Sequence, residues 1–309
     1  MRRSLRLLLG SSLALCALPA AEAQGLRERL RERFAERARK AEESAPTVPA
    51  ATVLRYGGDP LQELDFWPAG PGDSPAPLVL FVHGGGWQRG TKDNATGRWK
   101  AAHYPGEGYA FASINYRLVP AATVEQQATD VALALRALID RAEPLGIDRR
   151  RVVLMGHSAG AHLVALVGTD ERYLKAAGLS FADVAGVIPI DGAAYDVPRQ
   201  LREGPAMMQK TYAQAFGADP ARQRALSPTL QAVAPNAPRF LLLHVQRPDG
   251  IAQAKGLESA LKAGGTAVER RDFPGTGLAG HMEINRGLGD PAYAATPAVD
   301  EWLKRRFGA

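Results

Sequence analysis

Apolar positions along this chain fall into short continuous runs, separated by stretches with a helical repeat. Leu78–Val82, Tyr109–Tyr116, Arg151–Met155, Val184–Ile190 and Arg239–Val245 are such runs, and Ala267–Phe273 follows them as a last strand. Runs this short and this apolar predict strands buried on both faces of a parallel sheet. Upstream, Ala51–Tyr56 and Leu64–Trp67 predict two strands joined by a turn at Gly57-Gly58-Asp59-Pro60. The intervening segments carry a different period. Val124, Ala128, Val131, Leu135, Leu138 and Ala142 step by four and three residues along one helix face. Thr123 and Gln126 supply its capping box, and Pro144 and Gly146 close it. Ala161–Val167, Ala252–Ala263 and Thr296–Phe307 predict further helices, with another around Met207–Phe216 in the long connection 191–238. Strand alternating with helix predicts an α/β fold: a mostly parallel central sheet, helices on both faces and a small lid.

Two glycine-containing motifs sit directly behind predicted strands. Gly156-His157-Ser158-Ala159-Gly160 follows Arg151–Met155 and leads into the helix from Ala161. A G-x-S-x-G sequence between strand and helix lets the chain turn sharply and exposes a serine hydroxyl. His83-Gly84-Gly85-Gly86-Trp87 follows Leu78–Val82. Consecutive glycines let backbone N–H groups converge on one point, where they can stabilise an oxyanion. Together the motifs resemble the α/β-hydrolase superfamily from about residue 51 onward, in particular esterases with an HGGG-type loop and the arylformamidase-like branch. Asn115-Tyr116-Arg117-Leu118 and Gly280-His281-Met282-Glu283-Ile284-Asn285 resemble the same branch. The resemblance implies an oxyanion hole from the N–H groups of Gly85, Gly86 and Ala159. His83 would brace the loop, and Trp87 would either wall the acyl pocket or pack in the core.

A serine needs an adjacent base. In this fold the partners follow in the order serine, acid, histidine. Of the six histidines, His83, His103 and His157 precede Ser158, His162 leaves no room for an acid, and His244 lies within a strand. His281 remains, in the glycine-rich stretch 274–280 read as a loop after the last strand. The resemblance points to Asp249, just past the strand ending at Val245, as the acid. Asp191, just past the preceding strand, is the competitor. The residues after Asp249 depart from the D-x-x-V of the resembled family, reading Gly250, Ile251 and Ala252.

Composition narrows the setting. The net charge is +6 in 309 residues, and no basic patch interleaved with aromatics occurs, so nucleic acid is not an expected partner. Histidines spaced as ligands on one helix face are absent, so no metal is expected, and serine acyl transfer needs no cofactor. Residues 1–23 read as a secretory signal. Arg2, Arg3 and Arg6 form its basic start, Leu7–Ala20 its apolar centre and Ala21-Glu22-Ala23 its cleavage site. The apolar centre is interrupted by Ser11, Ser12 and Pro19 and falls short of the roughly 20 residues that span a bilayer, so no stable membrane anchor is expected. The only cysteine, Cys16, lies in this segment, so the mature chain has no thiol chemistry. Residues 24–50 read as a charged helical leader and a proline-containing linker, and 51–309 as the catalytic domain.

The expected function is hydrolysis of small carboxylic esters in the periplasm or outside the cell. The alternatives are an arylformamidase-like amidase acting on N-formyl arylamines and a non-catalytic binding protein on a hydrolase fold. Retention of both serine and histidine argues against the last. Cleavage after Ala23 predicts a mature chain beginning at Gln24. N-terminal sequencing of the exported protein reads this directly, and a chain still carrying Arg2 and Arg3 outside the cytoplasm would overturn it.

Overall fold

The alternation within each apolar run is realised on two buried faces. The computed structural model describes residues 46–71, 75–93 and 97–307. The predicted signal at 1–23 and the charged leader to residue 44 lie outside the described residues. Eight strands form one sheet: β1 (Thr52–Arg55), β2 (Glu63–Trp67), β3 (Ala76–Val82), β4 (Ala110–Ile114), β5 (Ile147–His157), β6 (Gly186–Ile190), β7 (Arg239–Gln246) and β8 (Ala267–Thr276). Their spatial order is β1-β2-β4-β3-β5-β6-β7-β8. The pairs β1–β2 and β2–β4 are antiparallel and the rest parallel.

Leu78, Leu80 and Val82 of β3 face one core with Val152 and Leu154 of β5 and Phe240 and Leu242 of β7. Val79, Phe81, Val153, Met155, Leu241 and Leu243 face the other. Helices α2 (Val124–Ile139), α3 (Ala159–Thr169) and α6 (Pro248–Ala263) cover the first face. Helices α1 (Arg98–Gly106), α7 (Gly277–Gly287) and α8 (Ala295–Phe307) cover the second. The capping box of α2 forms as read, with Gln126 N donating to Thr123 Oγ1 and Thr123 N to Gln126 Oε1. The helix stops at Ile139, earlier than expected. A separate turn, Ala142–Leu145, then ends at Gly146 with φ 66°.

The long connection holds more helix than the sequence reading gave it. Besides α5 (Gln209–Phe216) it contains α4 (Val197–Glu203), started by Asp196, whose side chain accepts from Arg199 N at 2.9 Å. Proline at the first helical positions of α4 and α6 suits a place where no intrahelical N–H is needed. Helix α1 carries no apolar repeat long enough to read, and its buried face includes a lysine, Lys100.

The glycine-rich stretch before His281 is not a loop. Strand β8 runs on to Thr276 and α7 begins at Gly277, so His281 stands on a helix. The glycines permit backbone contact: a Cβ on Gly275 would lie 2.9 Å from Gly280 Cα. The parallel strands all end at one sheet edge, so the segments after β3, β5, β6, β7 and β8 meet there. In open α/β sheets that edge is where ligands bind.

Candidate active site

Ser158 sits at the tip of the turn from β5 into α3. Its φ of 56° with ψ −115° is a conformation that non-glycine residues rarely adopt. Its neighbours hold it there. Ser158 N donates to Ile190 O at 3.0 Å. A Cβ on Gly160 would overlap Val82 O, and one on Gly156 would overlap Gly160 O. Two glycines therefore let α3 start against the ends of β3 and β5, which aims the serine over the sheet edge.

His281 Nε2 lies 3.0 Å from Ser158 Oγ. Its Nδ1 lies 2.6 Å from Asp191 Oδ2. The ring thus accepts from the serine hydroxyl and donates to a carboxylate, the tautomer a general base needs. Asp191 is fully buried and follows β6 with φ 43°. Its N donates to Leu243 O at 2.7 Å, and its Oδ1 accepts from Val245 N at 3.2 Å.

This pairing corrects the sequence reading, which placed Asp249 on the imidazole. Asp249 stands in the first turn of α6, where its Oδ2 accepts from Gln200 Nε2 at 3.5 Å and faces Arg247 Nη1 at 3.6 Å. Asp191 leaves a strand hydrogen-bonded to β5, and its left-handed backbone turns the carboxylate toward α7. Both aspartates follow apolar strands, so position in sequence alone does not separate them.

The loop after β3 is braced by side chains and backbone groups from several elements. Gly85, Gly86 and Trp87 have φ 123°, 62° and 62° in succession. Tyr116 Oη donates to His83 O at 2.9 Å, and the two rings stack at 4.3 Å. Trp87 O accepts from Gln127 Nε2 at 2.7 Å and Val119 N at 3.0 Å. Asn115 Oδ1 accepts from Lys92 N at 2.7 Å, and Lys92 Nζ pairs with Asp65 at 2.8 Å. The Asn115-Tyr116 motif, noted above only as a resemblance, is thus the clamp on this loop. At the start of α3, Ala159 N–H lies in the first turn, where it has no intrahelical acceptor.

Trp87 does not wall an open pocket. It is 1% exposed. Its Nε1 donates to His162 Nδ1 at 3.3 Å, and its ring packs on Phe216 at 4.8 Å and Tyr212 at 6.1 Å. Tyr212 and Phe216 are buried behind it, while Met208 reaches toward Gly86, whose Cβ would lie 3.8 Å from Met208 Cε.

Three histidines beside the site are held neutral. Burial pushes His83 and His162 down to about 4 and His157 well below its ordinary value, with His281 adding to the effect on His157. His157 Nε2 donates to His281 O at 2.9 Å, so His281 is held by its backbone as well as its ring. One turn on, Asn285 receives Lys100 Nζ through both its backbone and side-chain oxygens. Burial pushes the Lys100 ammonium down to about 7. His244 is structural, with Nδ1 at Val245 O and Nε2 at Arg270 Nη1. Among the described residues no group of three or more His, Cys, Asp or Glu side chains is placed to hold a metal ion.

The BD-FAE family profile matches residues 64–255. The chain belongs to the BD-FAE family. It is 31% identical over 235 residues to esterase LipC of Mycobacterium tuberculosis, covering 72% of this chain and 58% of that protein. It is 30% identical over 223 residues to ethyl acetate hydrolase of Pseudomonas putida, covering 66% and 67%. Kynurenine formamidase of Drosophila melanogaster is 34% identical over 114 residues, covering 37% and 36%. Esterase B from Lactobacillus rhamnosis superposes with a TM-score of 0.68 at 21% identity, covering 92% and 95%. The BD-FAE chain therefore has the α/β-hydrolase fold.

Gly86 offers a direct test of the loop's role. An alanine there must adopt φ 62° and place its Cβ 2.9 Å from Thr211 Cγ2. Left-handed strain of roughly 1–2 kcal/mol corresponds to about a tenfold effect on rate. Gly86→Ala is expected to lower kcat/KM by at least that factor, with partial recovery when Thr211→Ser removes the methyl group. Unchanged kcat/KM in Gly86→Ala would show that the loop need not hold this shape.

Proposed function

We propose that this BD-FAE protein is a serine esterase that hydrolyses short-chain carboxylic esters through an acyl-enzyme intermediate. One observation carries the reading: a single imidazole lies within hydrogen-bond reach of both Ser158 Oγ, at 3.0 Å, and a buried carboxylate, at 2.6 Å. In the first half-reaction Ser158 Oγ attacks the ester carbonyl while its proton passes to His281 Nε2. The tetrahedral oxyanion is met by the N–H groups of Gly85, Gly86 and Ala159, with the positive end of α3 behind Ala159. Collapse breaks the bond to the alcohol, which takes the proton from His281. Water then attacks the acyl-serine, again giving its proton to His281, and the carboxylic acid leaves as Ser158 recovers its proton. Asp191 fixes the imidazole tautomer and offsets the charge of the imidazolium. The esterase relatives support the reaction class, and the signal-like residues 1–23 support action outside the cytoplasm.

Two features favour small acyl groups. Helix α5, with Met208 just before it, rests on the oxyanion loop through Thr211 and Met208 at Gly86 and through Phe216 and Tyr212 at Trp87. The similarity to an ethyl acetate hydrolase points the same way. An extended acyl chain gains about 0.8 kcal/mol per buried CH₂ only where a groove receives it. The formamidase similarity supports a second reading, cleavage of an N-formyl arylamine by the same residues.

Two experiments test this function. Ser158→Ala and Asp191→Asn are expected to lower kcat on 4-nitrophenyl acetate by about a thousandfold or more, since triad members act as a unit. Asp249→Asn is expected to retain most of that activity, and the reverse order of the two aspartates would return the acid role to Asp249. Across 4-nitrophenyl esters from C2 to C16, kcat/KM is expected to peak between C2 and C4. A maximum at C10 or longer would refute the short-acyl assignment, and faster cleavage of N-formylkynurenine than of any ester would select the amidase reading.

A further inference from the structure

Beyond the line from Ser158 to Asp191 lies a second, oppositely charged pair. Arg247 follows β7, and its Nε approaches Asp191 Oδ2 to 3.0 Å. That N–H is not aligned for a hydrogen bond, so the contact is one of charge. The other end of the guanidinium is anchored: Nη2 donates to Gly192 O at 3.2 Å and Asp191 O at 3.4 Å. Its Nη1 lies 3.6 Å from Asp249 Oδ2, on the side away from the imidazole's carboxylate. The Arg247 and Asp249 side chains are 12% and 13% exposed, so solvent screens this arrangement only weakly.

We propose, on the serine-hydrolase reading above, that Arg247 is a positioning residue for Asp191, and that Arg247 with Asp249 as its counter-ion sets the pH at which His281 begins to act as a base. The two backbone hydrogen bonds hold the turn in which Asp191 takes its left-handed φ of 43°. The charge acts separately from that brace. A cation against the carboxylate opposes protonation of the neighbouring imidazole, and the anion on its far side reduces this opposition. Asp249, which lacks the bond to His281 expected of a triad acid, acquires a role as the regulator of Arg247.

The other groups around this centre are Lys100 from α1, His157 from β5, Tyr195 after β6, Tyr212 from α5, and Glu283 and Tyr293 around α7. His157 is held neutral by burial, and burial raises all three tyrosines, which stay neutral. Lys100, pushed down to about 7 by burial, titrates in the same range as a histidine but is common to every variant below. Differences between profiles therefore report Arg247 and Asp249.

The experiment is kcat/KM against pH with 4-nitrophenyl acetate, whose acidic limb reports the free enzyme's base. In Arg247→Met the limb is expected about one pH unit higher, the size of shift a nearby buried charge produces, with kcat lowered about tenfold. Arg247→Lys keeps a charge but not the planar fork, so the limb should stay near that of the wild type while kcat falls. In Asp249→Asn the limb is expected about half a unit lower, because Arg247 then acts unopposed. An unmoved limb in Arg247→Met, or a shift of both variants in the same direction, would overturn the proposal. If Arg247→Met does not fold, Asp249→Asn decides alone, and an unmoved or raised limb there overturns it. A ten-thousandfold loss of kcat in Asp249→Asn with activity kept in Asp191→Asn would instead overturn the triad on which the proposal rests.

Discussion

A carboxylate removed from water requires compensation on every side, and the active edge of this BD-FAE protein is organised around that requirement. Asp191 is fully buried. An ionised group in such a place is tolerable only if its oxygens are hydrogen-bonded and its charge is matched. The main-chain N–H of Val245 meets one oxygen, and His281 meets the other, with the Arg247 guanidinium beside it. These partners come from β7, α7 and the start of α6. Satisfying one aspartate therefore ties together the end of β6, the turn from β7 into α6, and α7, which lie far apart in sequence. His281 is aimed at Ser158 as a consequence of that packing.

The same physics keeps three histidines near His281 neutral. His83, His157 and His162 crowd the sheet edge, and burial keeps each uncharged. A neutral imidazole has one donor and one acceptor nitrogen, so it can join two backbone or side-chain groups without adding charge. His162 does this between Trp87 Nε1 and Leu226 O, which links the oxyanion loop to the long connection. His157 joins the turn at Ser158 to the backbone of His281. His281 differs in having a carboxylate partner, and that difference gives one of four neighbouring imidazoles the means to carry a proton.

The parts of this site legible in sequence are those set by short-range rules. The apolar runs, the capping box at Thr123 and the two glycine motifs all depend on residues within a few positions of one another. His281 was reachable by elimination among six histidines. The choice between Asp191 and Asp249 was not, because it turns on a φ of 43° and on where Arg247 lies, both products of tertiary packing. The stretch before His281 was misread for a related reason. Glycine signals a loop when it supplies freedom, but here Gly275 and Gly280 are glycines because their backbones touch. Trp87 shows a third limit: sequence placed it beside the oxyanion loop but could not tell whether the indole faced substrate or core.

These contacts also give the long connection between β6 and β7 a mechanical role. Gln200 on α4 accepts from Ala194 N at 3.1 Å and donates to Tyr212 Oη at 3.1 Å and to Asp249 at 3.5 Å. Tyr212 packs on Trp87, and Trp87 ends the oxyanion loop. A continuous chain of contacts therefore runs from Asp191 through Arg247, Asp249, Gln200 and Tyr212 to the loop that would receive the oxyanion. A lid that merely covered substrate would need no buried polar partners, and leaving such groups unsatisfied costs about 1–3 kcal/mol each. Here Gln200 of the connection meets Asp249, and its aromatic residues Tyr212 and Phe216 meet Trp87. The connection between β6 and β7 is thus built into the site through polar and aromatic contacts on its two sides.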